Sequence, residues 1–287
     1  MYSYRKSVKS DVSDELINTY LLRPVAGLVV RALYDTPVTP NQVTMVSTVA
    51  GVIAGAMYLQ GSSLSVAAAG LLVTLKDMLD SADGQLARAR NQYSRLGRFL
   101  DSIGDFVVDV AVFGAIGWLL VTNTGNPWWG IAALFGLVGI SLRVSYHVYY
   151  QTNFLHQERT YQNNRLSEEI RPEDRTAGVL TLTLQRTFQL IYGWQDRSMA
   201  AIDRWSVGLG SVDGNPARRR VWYSDTTALR ISGFLGFGTE LFVLMLCSVF
   251  NELKLYLILN LVLMNGIWFF CIFYRRAVVS KRILCIN

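Results

Sequence analysis

Apolar residues in this chain collect into blocks long enough to cross a bilayer, and charged residues gather at the ends of those blocks. A spanning helix needs about 20 predominantly apolar residues, and the pattern predicts six of them, at 40–60, 63–90, 96–121, 127–150, 228–250 and 253–274. The first opens at Thr39-Pro40-Asn41, an N-cap followed by proline at the first helical position. Gly51 and Gly55 give it a small-residue face suited to close packing inside a bundle. The second is cleanly apolar only from Leu64 to Leu75; Lys76, Asp77 and Asp80 follow, so its polar half projects out of the hydrocarbon. The third is the reverse, with Gly97, Asp101 and Asp105 ahead of its apolar run, and Pro127-Trp128-Trp129 reads as an interfacial aromatic belt at the start of the fourth.

Two stretches do not fit a crossing. Residues 15–34 carry Leu16, Ile17, Tyr20, Leu21, Leu28, Val29 and Leu33 near helical spacing, with Arg23, Pro24 and Arg31 interposed, which predicts an amphipathic, kinked helix on the membrane surface. Residues 151–225 mix both charge signs and are too polar to cross; Leu180, Leu184, Phe188, Ile191, Met199 and Ile202 predict a second interfacial helix there, and Gly208 to Asn215 a turn-rich loop. The expected architecture is therefore one all-α integral membrane domain over 1–287, with six transmembrane helices, an N-terminal interfacial helix, and a cytosolic helical insertion between the fourth and fifth crossings.

Composition agrees. The 287 residues are 51% hydrophobic and only 17% charged, with a mean hydropathy of +0.27, too apolar for an ordinary soluble domain. A net charge of +6 raises the question of nucleic acid. The basic residues, however, flank apolar blocks: the loops at 60–63, 122–126 and 250–253 hold almost no Lys or Arg, while Arg88, Arg90, Arg95, Arg98, Arg218 to Arg220 and a C-terminal cluster lie on the other side. That asymmetry predicts both termini in the cytosol, anionic lipid as the surface partner, and no nucleic acid. Met1 to Asp14 is polar and resembles no signal peptide. Cys247, Cys271 and Cys285 have no metal-binding spacing and are expected to be inert thiols.

The chemistry concentrates between Asp80 and Asp105. Asp80-x-x-Asp83-Gly84-x-x-Ala87-Arg88 is followed, after eight residues, by Gly97-x-x-x-Asp101-x-x-x-Asp105. Helical periodicity puts Asp80, Asp83, Gly84, Ala87 and Arg88 on one stripe and Gly97, Asp101 and Asp105 on another. The short connection at 91–95 makes the two helices antiparallel neighbours, so four carboxylates converge at one end of the bundle. Like charges so close need compensation. A hard divalent cation, or two about 3.5–4 Å apart, supplies it, and an all-oxygen donor set favours Mg²⁺ or Mn²⁺ over zinc. The small residues either admit a phosphorylated ligand or simply allow close helix packing.

The pattern resembles the signature of the CDP-alcohol phosphotransferases (CDP-alcohol phosphatidyltransferases), and every signature position is filled. The resemblance extends to the N-terminal amphipathic helix, the Pro40-Asn41-x-x-Thr44 start of the first crossing and the six crossings; the 151–225 insertion departs from the smallest members. It implies that Asp80, Asp83 and Asp101 ligate two metal ions. Asp105 is then the general base and a further ligand. Gly84, Ala87 and Arg88 border the cytidine and diphosphate, Gly97 makes room on the facing helix, and Asn41 and Thr44 either contact the same ligand or cap their helix. The implied reaction is attack by an acceptor hydroxyl on the β-phosphorus of a CDP-linked alcohol, releasing CMP, in phospholipid synthesis by a homodimer. The chain length favours a prokaryotic inner membrane.

Other candidates are weaker. Asp109 continues the second stripe and either orients the acceptor or Asp105, or bonds to a neighbouring helix. Arg143 and His147 share a face of the fourth crossing and are candidates for an acceptor phosphate or carboxylate, with membrane anchoring an equal explanation for Arg143. Lys76 and Asp77 read as helix-end charges, and Arg218 to Arg220 as a headgroup anchor. Two rivals remain, an intramembrane prenyltransferase and an ion-coupled transporter. The first usually has two aspartate-rich motifs on separated helices, and the second places charge near midplane.

Overall fold

The computed structural model describes residues 17–158, 178–208 and 214–284, together with Tyr4, Glu15, Ile170, Pro172, Asp174 and Val212. The rest of the polar leader up to Asp14, Leu16, part of the 151–225 insertion and Cys285 lie outside the described residues. Among the described residues there is no β-strand. A π-helical turn, Asn18–Leu22, leads into α1 (Arg23–Leu33), and α2 (Pro40–Gln60), α3 (Ser63–Arg90), α4 (Arg95–Thr124) and α5 (Trp128–Gln157) follow. The insertion contains α6 (Val179–Val207) and α7 (Pro216–Tyr223); α8 (Thr226–Ser232), α9 (Phe237–Val249) and α10 (Leu253–Leu284) complete the bundle.

Among the described residues, five helical segments are long and apolar enough to cross a membrane: Pro40–Gln60, Arg95–Thr124, Trp128–Gln157, Thr226–Val249 and Leu253–Leu284. The expected second crossing, α3, is not among them, because Lys76, Asp77, Asp80 and Asp83 dilute its apolar run. Several boundaries also move. α5 runs to Gln157 rather than ending at 150, and α10 continues beyond 274 to Leu284 through π-helical turns at Leu259–Met264 and Arg275–Val279. The predicted 228–250 crossing is broken: a short 3-10 turn, Gly233–Leu235, and extended backbone at Gly236 separate α8 from α9.

Local chemistry explains where the helices begin and end. The Thr39 hydroxyl accepts from Gln42 N at 3.3 Å while Thr39 N donates to Gln42 Oε1 at 2.8 Å, a capping box with Pro40 at the first position. α3 stops at Asn91 in the left-handed region (φ 53°), a conformation asparagine tolerates better than most residues. Three residues on, Ser94 Oγ accepts from Gly97 N at 2.9 Å and starts α4. The turn between is short, so α3 and α4 return antiparallel.

α2 lies against both α3 and α4. Gly51 and Gly55 face α4: a methyl on either would collide with Val108 or Ala111, so this small-residue stripe is an internal packing seam. The main core joins Ala54, Tyr58, Val73, Val112, Ile116, Ile140, Leu244 and Tyr256 across α2, α3, α4, α5, α9 and α10. A second cluster gathers Tyr146, Tyr150, Met199, Trp222 and Ile272 where the insertion meets α5 and α10. Val49, Ile53, Phe135, Val262, Phe269 and Phe273 are exposed. Apolar surface that extensive needs a nonaqueous surrounding or a partner.

Candidate metal and phosphate site

The antiparallel return of α3 and α4 brings their acidic stripes into register, and ligand oxygens of Asp80, Asp101 and Asp105 all lie within 4.8 Å of one another. Asp83, the fourth signature carboxylate, is buried beside them and accepts a short hydrogen bond from Thr44 Oγ1 on α2. Thr44 also bonds back to Pro40 O at 3.2 Å, so its hydroxyl ties the start of α2 to the acidic face of α3. Asn41, one turn earlier, occupies the hollow that Gly97 leaves on α4; a Cβ at Gly97 would strike its carboxamide and Ser94 Oγ. The bareness of Gly97 therefore admits a side chain of this chain. Gly84 behaves alike, since a Cβ there would lie 3.2 Å from Nη1 of Arg88, whose guanidinium folds back over it. Ala87 sits half-buried between them on the same stripe.

Arg90 holds the mouth of the site together in a way its sequence position did not suggest. Its guanidinium donates to Tyr34 O (2.7 Å), Thr36 O (2.8 Å) and Val38 O (2.6 Å), and also to Leu33 O, fixing the α1–α2 loop to the end of α3. These carbonyls belong to the C-terminal end of α1 and the loop after it, and Leu33 O also accepts from Thr36 N (3.0 Å) and Thr36 Oγ1 (2.7 Å).

Lys76 is the other residue that the sequence reading set aside as a helix-end charge. It is 4% exposed, forms a close ion pair with Asp105, and lies 3.7 Å from Asp80. Asp77, beside it, is buried with Oδ2 unpartnered. Their spacing was the available signal, because Lys76 precedes Asp80 by four residues and shares its stripe.

The acceptor candidates separate. Asp109 is buried one turn beyond Asp105. Arg143 is wholly buried in a network of its own, donating to Glu240 Oε2 (3.0 Å), Asn265 Oδ1 (2.6 Å) and Asn260 O (3.2 Å). His147 Nδ1 pairs with Ser232 Oγ at 3.2 Å on α8. Arg143 is thus bound to α9 and α10, and His147 to α8. The insertion, in contrast, reaches the site helix. Tyr192 OH on α6 donates to Ser102 O at 2.7 Å, and Phe188 packs on Phe99 with ring centroids 5.4 Å apart. Burial pushes the Tyr192 phenol well up, and the charges of Asp105, Asp109 and Asp101 push it further.

The residues fit a hard divalent ion. All donors are carboxylate oxygens, the matching set for Mg²⁺ or Mn²⁺, and Asp101 Oδ1 is buried with no hydrogen-bond partner. A buried acceptor without a donor is unusual unless something else satisfies it.

Similarity to known proteins follows the same segment. The model of the CDP-alcohol phosphatidyltransferase family matches residues 37–190, which contain α2 to α5 and the whole aspartate constellation. The bifunctional IPC transferase and DIPP synthase of Thermococcus kodakarensis is 35% identical over 142 residues, covering 50% of this chain and 31% of that protein. The phosphatidylinositol phosphate synthase of Corynebacterium glutamicum is 34% identical over 126 residues, 44% of this chain and 55% of its own length. The archaetidylinositol phosphate synthase of Pyrococcus horikoshii is 37% identical over 87 residues, 30% and 44% respectively. The chain thus spans between 31% and 55% of the length of these curated relatives.

Proposed function

From the premise that this chain belongs to the CDP-alcohol phosphatidyltransferase family, we propose that it transfers a substituted phosphate group from a CDP-linked alcohol to an acceptor hydroxyl, releasing CMP, in phospholipid synthesis. The observation that carries the proposal is the meeting of Asp80, Asp101 and Asp105 within 4.8 Å at the join of two antiparallel helices. Asp80, Asp83 and Asp101 would hold Mg²⁺ or Mn²⁺, two ions by the family resemblance, with Asp105 a further ligand. Bound there, a divalent ion neutralises charge on the diphosphate and on the departing CMP.

The chain's own groups do the rest. Asp105 takes the proton from the acceptor hydroxyl as its oxygen attacks the β-phosphorus; the bond from that phosphorus to the CMP oxygen breaks, leaving a phosphodiester. Thr44 orients Asp83 through their hydrogen bond. Arg88, Gly84 and Ala87 line the side where the nucleotide diphosphate would lie, and its arrival requires Arg88 to swing off Gly84. Asn41 and Gly97 form the opposite lip. Asp109 backs Asp105. Arg143 and His147, engaged elsewhere, hold the bundle that supports the acceptor side.

We place α3 as the sixth crossing, its polar half projecting from the hydrocarbon toward the cytosol, with α1 on the interface and both termini and the site in the cytosol of a prokaryotic inner membrane. Membrane lipids and a second copy of the chain are the proposed partners. Two of the named relatives are synthases of inositol-phosphate lipids, which puts an inositol phosphate first among acceptors and a CDP-linked lipid first among donors. Family membership disfavours the prenyltransferase and transporter readings. The test is CMP release by the purified protein across a panel of CDP-alcohols and acceptors with Mg²⁺. Release that disappears in Asp105→Asn supports the proposal, and no release with any pair defeats it.

A further inference from the structure

We propose that the outer face of α6 is a membrane-binding surface. It lies in the headgroup layer of the leaflet nearest the aspartate site, with its apolar edge among the lipid chains and a row of arginines on the phosphates of anionic lipid. The assignment does not depend on which reaction the site performs.

The stripe concerned is not the one that apolar spacing alone selects. Phe188, Met199 and Ile202 turn inward: Phe188 packs on Phe99, and Met199 and Ile202 join the second core cluster. On the same inner side Tyr192 OH donates to Ser102 O at 2.7 Å, Gln195 Oε1 accepts from Ser145 Oγ at 2.5 Å, and Val207 O accepts from Ser280 Oγ at 2.8 Å. α6 therefore lies across one end of α4, α5 and α10. With that face occupied, Leu180, Leu190, Trp194 and Trp205 are left exposed, Leu190 at 82%, together with Arg186, Arg197 and Arg204. Helical periodicity sorts them, because the four apolar residues take one edge of the exposed arc and the three arginines the other. The two acids of the helix lie off the arc, Asp203 buried and Asp196 beyond the arginine row. Leucine and tryptophan along one edge and arginine along the other is the pattern of a helix lying in a bilayer interface.

The contacts of Trp205 fix which way the apolar edge faces. Its ring meets Phe273 with centroids 6.1 Å apart, and Phe273 is exposed, with Phe269 and Phe270, on a helix long and apolar enough to span a membrane. The apolar edge of α6 thus continues the lipid-facing surface of α10. Arg276 stands at the junction: its guanidinium is 3.9 Å from the centre of the Trp205 ring and donates to Trp205 O, adding a fourth cation at this level. A second copy of the chain fits this surface less well, since a two-fold contact through it would bring the arginine row against its own image.

The experiment places a nitroxide at Ala201, an exposed position on the arc, in the full chain carrying Ala201→Cys and Cys285→Ser; Cys247 and Cys271 are buried. In nanodiscs of phosphatidylcholine with phosphatidylglycerol, the label should collide readily with oxygen and poorly with a water-soluble nickel chelate. In phosphatidylcholine alone the nickel collision rate should rise by about threefold or more. Arg186→Gln, Arg197→Gln and Arg204→Gln together, or Trp194→Glu with Trp205→Glu, should give the high nickel rate even in the anionic discs. Nickel collision that is high in both disc types overturns the proposal, as does equal protection in both, which would leave no role for lipid charge. Dipolar broadening between two labels in one disc, appearing together with the protection, would assign the surface to a second copy and overturn it too.

Discussion

Glycine 97 shows how a single missing side chain can set the geometry of a site. Asn41 of α2 fills the space at Gly97, so Gly97→Ala must displace Asn41 or separate α2 from α4. The expected result is a loss of about tenfold or more in CMP release, because small misplacements near a reacting centre carry large penalties. Asn41→Ala, combined with it, should recover part of the loss, a coupling that a double-mutant cycle of initial rates would detect. Asp105→Asn removes the proposed base and one carboxylate of the metal set, and should lower kcat by about 10²–10⁴-fold while weakening Mn²⁺ binding less than Asp101→Asn does. A variant that loses Mn²⁺ binding along with activity would identify Asp105 as a ligand first. The buried pair of Arg143 and Glu240, with Tyr256 and Asn260 also bonded to Glu240 Oε1, belongs to stability. Breaking it with Glu240→Ala should cost about 3–5 kcal/mol, read as a fall in thermal stability in detergent, because the guanidinium stays buried without its partner.

Helices in this protein are tied to one another chiefly by side chains that satisfy another element's backbone or buried charge. Arg90 binds carbonyls of the α1–α2 loop, and Asp203 on α6 gathers part of the insertion: it accepts from Tyr150 OH (2.8 Å), Trp222 Nε1 (2.7 Å) and Tyr223 OH (2.8 Å), drawing α5, α6 and α7 together. Arg275 of α10, wholly buried, lies over the Tyr150 ring at 3.5 Å and donates to Trp222 O at 3.0 Å, adding the last crossing to the same junction. Asp203→Asn leaves donors facing donors and should loosen α6. Since α6 meets the site helix at Ser102 through Tyr192, the expected signature is faster hydrogen exchange across 179–207 and a KM for the acceptor that rises more than the KM for the CDP-alcohol. Equal changes in both would mean that α6 supports the bundle without bordering the acceptor.

Across the whole molecule, polarity is graded rather than sharply divided. The core of α2, α4, α5, α9 and α10 is apolar, and its outer faces expose Val49, Ile53, Phe135, Val262 and Phe273, while the aspartate site, Arg90 and the insertion occupy one end. α3 belongs to both regions: Val66, Ala69 and Val73 join the core, and Lys76 to Asp83 enter the site. Six crossings require Gln60-Gly61-Ser62-Ser63 and the 91–94 turn to lie on opposite sides of the membrane. Single cysteines at Ser62 and Gln92, probed in intact cells with an impermeant maleimide, should give labelling of the first and protection of the second. Identical accessibility at both would reduce α3 to a surface or re-entrant helix.

Much of this was already written in one dimension. Hydrophobic blocks, the Thr39-Pro40 cap, the small face of Gly51 and Gly55, and the spacing of Asp80, Asp83, Asp101 and Asp105 depend on local periodicity and on the short turn at 91–94, and such short-range constraints are carried by neighbouring residues in the chain. The break at Gly233–Gly236, the length of α5 and α10, and the partners of Arg90, Arg143 and Asp203 were not. Each of these is a contact between residues far apart in sequence: Arg143 meets Glu240, Arg90 meets Thr36, Lys76 meets Asp105. A charge at a helix end looks the same in sequence whether it faces headgroups, caps another helix or neutralises an acidic cleft. Only the packing of the helices decides among these, because the cost of burying a charge is met by whichever opposite group the tertiary fold brings within reach.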